Sequence, residues 1–446
     1  MTRGMHATRA PRERFVLCGV IFPDQVVEQE GDLTEARGLV EAAGGDVVGD
    51  GVVQRRERPV SATLMGRGKV EEVLDEVRAH KPDGVVVDND LTPAQGRNLE
   101  KAWKVRVIDR SELILDIFAR RARTGQARLQ VELAQTEYLL PRLKRMWTHL
   151  ERMEGAIGAR GPGETQLETD RRLIRNRISD LKKQLKQIEK RKMREVSSRH
   201  DEYTIGLVGY TNAGKSTLLN RLTGAGEFAA DLLFATLDTR TRQWQLSDGR
   251  TALLSDTVGF LSRLPHHLVA SFHATLEETL HADLLLHVAD ASHPDAIEQI
   301  RAVDEVLGGL SHGGRDTVLV FNKIDAVTDS IELTWLRADR QEDSLFLSAK
   351  TGEGVEDLDR LVQQRIDLRS AKLRALVPLA DGRTIARMRK AGVVLSEEIC
   401  DDDSKLSIEL KVDDAALGNL RRSLPKEVSL EVTEPAAEPR EPSGLE

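Results

Sequence analysis

Cysteine is scarce: Cys18 and Cys400 are the only two in 446 residues, and they fall in different candidate domains. Two thiols so far apart exclude a disulfide framework and a cysteine-based metal cluster, and they fit a reducing compartment. Long apolar runs are missing too. No window approaches the ~18–20 consecutive apolar residues of a membrane span, so no spanning helix is expected. The start, MTRGMHATRAPRERF, is rich in arginine with a single acid and lacks the apolar core of a secretory signal. Residues 1–13 read as a disordered leader, with a transit-peptide stub as the weaker alternative. An overall excess of positive charge is also absent. The net charge of −8 is the wrong sign for a nucleic-acid binder taken as a whole.

What the chain does have is length, alternation and unevenly placed charge. At ~100–200 residues per domain, 446 residues imply several domains. A content of 40% hydrophobic and 31% charged residues is that of an ordinary soluble protein. From Pro141 to His200 there are 17 Lys and Arg against 8 Asp and Glu, so this block carries +9 and the remainder −17. Such asymmetry marks a polyanion-facing surface.

Strand and helix patterns alternate through residues 14–110 (RFVLCGVIF, LTEARGLVEAAGG, GDVVGDGVVQRR, VEEVLDEVRAH, DGVVVDN, VRVIDR), which predicts a small α/β domain. Thr92-Pro93 supplies an N-cap and a proline at the first helical position. Residues 111–200 read as helical. Leu129, Leu133, Thr136, Leu140, Leu143, Trp147 and Leu150 recur at spacings of 4,3,4,3,4,3, and Ile174, Ile178, Leu181, Leu185 and Ile188 at 4,3,4,3. Two such seams predict an antiparallel coiled-coil hairpin, with Pro141 kinking the first helix. The connecting tip, Gly155–Thr165, holds four glycines and a proline and exceeds the usual ~2–8 residues. Alternation resumes over 201–370 and predicts a second α/β domain. Residues 371–432 read as a small α+β domain, and the proline- and glutamate-rich 433–446 as a disordered tail.

Gly209-Tyr210-Thr211-Asn212-Ala213-Gly214-Lys215-Ser216 fits the phosphate-loop pattern G-x-x-x-x-G-K-[ST] between the strand YTIGLV and the helix STLLNRL. Its amides and the helix N-terminus, through Thr217, can curl around phosphate. Lys215 can reach the β- and γ-phosphates, and Ser216 can hold Mg²⁺. Asp256-Thr257-Val258-Gly259 follows the strand TALLS; there an acid can bind the metal through water and the glycine amide can touch the γ-phosphate. Asn322-Lys323-Ile324-Asp325 follows TVLVF. Asp325 can accept hydrogen bonds from the N1–H and 2-amino groups of guanine, donors that adenine lacks, and a buried carboxylate without them is penalised steeply. Ser348-Ala349-Lys350 follows SLFL, where the Ala349 amide can meet guanine O6. The threonine that closes over the metal is assigned to Thr236, within Phe234-Ala235-Thr236-Leu237-Asp238, ahead of Thr239 and Thr241. Five elements in this order, each at a strand end, predict a P-loop domain that binds and hydrolyses GTP.

The residue after Gly259 is Phe260, where the best-known small GTPases carry a glutamine that orients the attacking water. Phenylalanine can neither donate nor accept a hydrogen bond, so intrinsic turnover should be slow and a partner should supply the activating group. Two weaker signals are Gly66-Arg67-Gly68-Lys69, a phosphate cradle or a plain strand-to-helix turn, and His266-His267, which read as a helix entry before a base.

From about Arg14 to Lys350 the chain resembles the HflX family, the ribosome-associated branch of the translation-factor-related GTPases. Beyond the five elements, the resemblance is carried by GRGKVEE (66–72), DNDLTPAQ (88–95), RVIDRSELILDIFARRART (106–124), LQVELAQTEYLLPRL (129–143) and IGARGPGETQLETDRRLIRNRI (157–178). The last is the most specific, because helix physics does not demand GPGETQLE. The resemblance implies an α/β architecture in which the P-loop GTPase domain is preceded by a small α/β domain and the helical hairpin, and followed by a small α+β domain. It implies a Mg²⁺-dependent, cytoplasmic, monomeric GTPase, with room for a loosely membrane-associated fraction. Such a protein binds GTP and GDP and the large ribosomal subunit, splits ribosomes and rescues stalled ones under stress. The hairpin tip would then reach the peptidyl-transferase RNA, with Arg160, Gly161, Gly163, Arg171, Arg172, Arg175 and Arg177 facing phosphates. A ribosome-assembly or RNA-remodelling GTPase is the alternative, and a signalling GTPase whose hairpin grips a protein is a third reading.

Asp325→Asn should weaken GTP binding and favour xanthosine triphosphate, whose 2-oxo group can accept from the new amide. Competition of the two nucleotides for the wild-type and variant proteins checks this; equal affinities in both would remove Asp325 from base recognition.

Overall fold

The computed structural model describes residues 12–23, 33–143, 162–197, 203–224, 233–234, 240–256, 259–261, 282–310, 316–327, 344–400, 404–425 and 428–434. It divides into two compact units. The first is Met1–Lys190 with Ala230–Asp238 and Val258–Ala274; the second is Arg191–Ala229, Thr239–Thr257 and Thr275–Glu446.

The first unit is built on a parallel sheet. Strand β1 (Arg14–Ile21) is flanked on one side by β2 (Asp46–Val47) and β3 (Val52–Arg55), and on the other by β4 (Gly84–Val87) and then β5 (Arg106–Asp109). The stretch GDVVGDGVVQRR is therefore two short strands along one edge of β1, interrupted where Gly49 and Gly51 adopt φ of +76° and +86°. Every residue of β4 is buried, as expected of a strand covered on both faces. Helices α1 (Thr34–Ala42), α2 (Arg67–His80), α3 (Pro93–Trp103) and α4 (Arg110–Arg121) cover the sheet. The predicted start of α3 is present as a capping box: Thr92 Oγ1 accepts from Gln95 N–H and the Gln95 side chain accepts from Thr92 N–H, with Pro93 in the first turn. Burial pushes the Cys18 thiol far above its ordinary range, so it is an inert core residue.

Among the described residues of this unit, buried charge is paired. The Arg110 guanidinium, 2% exposed, bonds Asp88 after β4 and Glu35 on α1. Asp109 caps α4 through Glu112 N–H and also accepts from Tyr138 Oη at 3.0 Å and Arg142 Nη2 at 2.9 Å. Burial pushes its carboxyl up to about 6, against the opposing pull of the Glu112 amide and Arg142.

Helix α5 (Gly125–Leu139) gives way at Leu140–Arg142 to a 3-10 turn containing Pro141, the interruption that proline predicts. Its buried face is Ala127, Val131, Ala134 and Tyr138 with Leu133, whereas Leu139 is exposed and Leu129, Thr136 and Leu140 are half-buried. Of the predicted first seam, Leu133 and Leu143 are buried and share their face with smaller side chains such as Ala127 and Ala134, while Trp147 and Leu150 lie outside the described residues. Helix α6 (Pro162–Ser197) carries the second seam as predicted: Leu181 is fully buried and Ile174, Ile178, Leu185 and Ile188 are half-buried between exposed neighbours. Helix α6 begins at Pro162, a residue suited to a first helical turn, so Pro162–Thr165 of the expected tip are helical, and Gly155–Gly161 lie outside the described residues. Ion pairs Glu132–Arg177 and Glu137–Lys182 join α5 to α6. Partners advance together along both helices, so α5 and α6 run parallel where they touch, a correction to the antiparallel pairing expected of the two seams.

The second unit contains a six-stranded sheet in the order β11-β10-β9-β6-β8-β7. It comprises β6 (Tyr203–Gly209), β7 (Arg240–Gln245), β8 (Thr251–Asp256), β9 (Leu284–Asp290), β10 (Thr317–Asn322) and β11 (Ser344–Phe346), and only β7 runs antiparallel. Helices α7 (Lys215–Thr223), α8 (Ala296–Leu310) and α9 (Val355–Leu368) belong to it. Ile205, Leu207, Leu254, Leu286, Val288 and Val320 form the centre of its core. The motif loops consequently gather at the carboxyl ends of the strands, where α/β sheets bind ligands.

After α9 the chain enters β12 (Ser370–Pro378) with only Arg369 between. Helix α10 (Gly382–Ala391), β13 (Val393–Ile399), β14 (Lys405–Asp413), α11 (Asp414–Ser423) and β15 (Ser429–Glu434) follow. The antiparallel order β13-β14-β12-β15 makes this βαββαβ segment ferredoxin-like, a definite topology where the sequence predicted a small sheet with two helices. Among the described residues no helix is long and apolar enough to cross a membrane.

Thr92→Ala removes the α3 cap and should destabilise the first unit by about 1 kcal/mol, read as a lowered urea midpoint, with Thr92→Ser close to wild type. An unchanged midpoint for the alanine variant would show that the capping box contributes nothing net.

Candidate nucleotide-binding site

Strand β6 ends on Gly209, whose φ is +146° and whose absent Cβ would lie 2.1 Å from the Val288 carbonyl of β9. No other residue fits there. The loop then turns through Asn212 (φ 63°) and Gly214 (φ +91°) before α7 starts at Lys215. Tyr210, Thr211 and Ala213 are buried within it, and Thr217 lies in the first turn of α7. Lys215 Nζ donates to the carbonyls of Gly209 at 2.9 Å and Tyr210 at 2.7 Å. Burial pushes its pKa down to about 8, opposed by the negative charge of Asp256. At the end of β8, Asp256 Oδ2 accepts from Ser216 Oγ at 2.7 Å. The sequence-predicted phosphate-loop and metal-binding residues Lys215, Ser216 and Asp256 therefore converge.

The residues expected to recognise the base converge on the other side of the loop. Asn322 Nδ2 donates to the Ala213 carbonyl at 2.8 Å, and its Oδ1 accepts from Ala349 N–H at 2.9 Å. Ser348 Oγ donates to Asp325 Oδ1 at 2.6 Å and accepts from Thr351 N–H. Lys323 holds a left-handed backbone at φ 62°, and Ile324 N–H reaches the Leu347 carbonyl. Arg221 of α7 donates to the carbonyls of Ala349 and Lys350, fixing the second loop from behind. Asp325 is exposed, which corrects the expectation of a buried carboxylate.

Two participants escaped the sequence reading, Arg221 and Asp290. Asp290 Oδ2 lies 2.7 Å from Lys323 Nζ. An apolar strand ending in an acid, LLLHVAD, has the same form as TALLSD and was the available signal.

The remaining residues are placed differently. Phe234 is 2% exposed, holds φ 56°, and packs edge-on against Phe118 of α4 with centroids 4.6 Å apart. Its ring is thus a core element of the first unit, a correction to its expected place in the nucleotide loop. Ala235, Thr236, Leu237 and Asp238 lie outside the described residues, as do Thr239, Thr257, Val258, His266 and His267. Thr241 sits in β7 with Oγ1 3.0 Å from Ser255 Oγ, in the ladder between β7 and β8. Phe260 is 2% exposed, so its ring is packed away from solvent. Of the expected RNA-facing residues, Arg160 and Gly161 lie outside the described set, Gly163 is in the first turn of α6, and Arg172 and Arg175 are exposed on that helix. Arg171 is half-buried, and Arg177 is paired with Glu132.

A Cβ on Gly214 would fall 2.2 Å from Asn322 Nδ2 in a backbone region that side chains avoid. Gly214→Ala should lower GDP affinity at least tenfold, about 1.4 kcal/mol, in a fluorescent-GDP titration with secondary structure retained. Wild-type affinity would mean that the loop and Asn322 can move apart freely.

Three family profiles match in series: "GTP-binding GTPase N-terminal" over residues 30–119, "GTP-binding GTPase Middle Region" over 121–199, and "50S ribosome-binding GTPase" over 204–323. GTPase HflX of Escherichia coli (strain K12) is 45% identical over 407 residues, covering 90% of this chain and 93% of its own. GTPase HflX of Lacrimispora saccharolytica is 43% identical over 87% of this chain and 92% of its own. A GTP-binding protein from Sulfolobus solfataricus, solved in complex with GDP, aligns with 79% of this chain and 98% of its own at 23% identity and a TM-score of 0.43. With the phosphate loop and guanine-recognition loops assembled as described, identity of this extent makes the chain a member of the HflX family, a P-loop enzyme that hydrolyses GTP.

Proposed function

We propose that this GTPase binds the large ribosomal subunit in its GTP form, splits or rescues ribosomes, and leaves on hydrolysis. The observation that carries the reading is the match of residues 204–323 to a family described as a 50S ribosome-binding GTPase. The cation-rich α6 supports it: Arg172, Arg175, Lys183 and Lys186 are exposed around a seam of half-buried isoleucine and leucine. Such a face can neutralise RNA phosphates. The tip and the helical stalk belong to this proposal, with residues 155–161 as the segment that enters RNA.

At the nucleotide site, Lys215 has three ammonium donors and two are taken by loop carbonyls, so the third is available to a phosphate oxygen. The hydroxyl of Ser216 and the carboxylate of Asp256 are hard oxygen donors side by side, which suits Mg²⁺. Mg²⁺ bound there would neutralise charge on the β- and γ-phosphates. Asp325 and the Ala349 amide read the guanine edge. Thr236 and Gly259 act as the γ-phosphate sensors. Phe260, apolar and packed away, positions no water, so free turnover is slow and the docked partner orders the sensors. The location of this work is the cytoplasm, and the acting species a monomer.

Purified large subunits should raise GTP hydrolysis at least tenfold over the free protein, about 1.4 kcal/mol of barrier. Absence of stimulation by any ribosomal particle would sink the partner-supplied mechanism. Replacing residues 155–161 with a short Gly-Ser turn, sparing Pro162, should leave free nucleotide affinity unchanged and abolish splitting of ribosomes in sucrose gradients. Normal splitting by that variant would make the segment a connector and favour the assembly-factor alternative.

A further inference from the structure

Lys323 has an anchor that its own motif does not contain. Asp290 closes β9 and is buried. One of its carboxylate oxygens, Oδ1, accepts from Ser292 N–H at 3.0 Å and Ser292 Oγ at 2.6 Å. This fixes the plane of the carboxylate and leaves Oδ2 for Lys323 Nζ, 2.7 Å away. Between its left-handed backbone and that ion pair, the lysine stem is drawn across the phosphate loop: Lys323 Cε lies 4.0 Å from the position a Cβ would take on Gly214.

We propose that Asp290 is a positioning residue for guanine nucleotides, acting through Lys323. Lysine is among the side chains with most rotamer freedom to lose. Held at both ends, its alkyl stem forms an apolar floor joining the phosphate loop to the base-recognition loop before a nucleotide arrives. Preorganisation of this kind removes an ordering cost from binding, and its loss shows mainly in dissociation. Ser292 completes the device by aiming the carboxylate. The inference deepens the GTPase assignment and does not depend on the ribosomal partner.

The test uses the full-length protein and stopped-flow release of fluorescent GDP with Mg²⁺ present. Asp290→Ala should speed release about tenfold, and Asp290→Asn by less, because the amide oxygen can still accept from Lys323. Association rates should change by much less than release rates. Lys323→Met keeps an apolar stem without the charge; in that background Asp290→Ala should add less than twofold. The proposal is overturned if Asp290→Ala leaves release unchanged, or if it speeds release equally with Lys323 and with Met at position 323. The second outcome would assign Asp290 to general support of β9. Urea midpoints of the wild type and the four variants separate loss of fold from loss of grip.

Discussion

Asn322 uses both ends of one side-chain amide on backbone groups of two different loops, and the nucleotide site is organised around that economy. Its Nδ2 holds the Ala213 carbonyl and its Oδ1 holds the Ala349 amide, so phosphate cradle and base reader are fixed to a single rigid group. The neighbours adapt to it. Gly214 lacks a side chain because a Cβ would collide with that Nδ2. Lys323 accepts a left-handed backbone to turn the next residues toward Ser348. Buried polar groups in such a network stabilise only when every partner is present, which is why so many short hydrogen bonds converge here.

The GTPase half of the chain was legible because its chemistry is local in sequence. Each motif is a few residues long, sits at the end of an apolar strand, and occurs in the expected order. The seam of α6 was legible for a similar reason: isoleucine and leucine at 174, 178, 181, 185 and 188 are the less exposed positions of an otherwise solvated helix. The seam that begins in α5 was legible only in part: Leu133 and Leu143 are buried, but side-chain size hid the small residues that share their face. Ala127 and Ala134 face inward where close packing favours small residues, while Leu139 stays outside. Register and strand order escaped local reading altogether. Nothing near residues 46–55 says that two short strands share one edge of β1, and nothing near 393–413 says that β14 lies between β13 and β12.

Asp290 and Arg221 were missed for a different physical reason. Both act by orienting another group; Arg221 carries no local sign of such a role, and the acid that closes LLLHVAD does not say which group it orients. Their partners are 33 and 128 residues away in sequence. Phe234 shows the converse. Its neighbours suggested a nucleotide loop, yet an aromatic ring gains more from burial against Phe118 than from solvent.

The direct passage from α9 into β12 has a mechanical meaning. Arg369, the one residue between them, bonds both the carboxylate and the carbonyl of Asp283, and Ser370 Oγ donates to the Ile366 carbonyl. Asp367 gathers Arg250 from β7–β8 and Lys411 from β14. The ferredoxin-like sheet is therefore tied, by paired side chains as well as by the chain, to the helix that begins a few residues after Ser348-Ala349-Lys350. A rotation of α9 would have to turn the ferredoxin-like sheet with it or break these pairs.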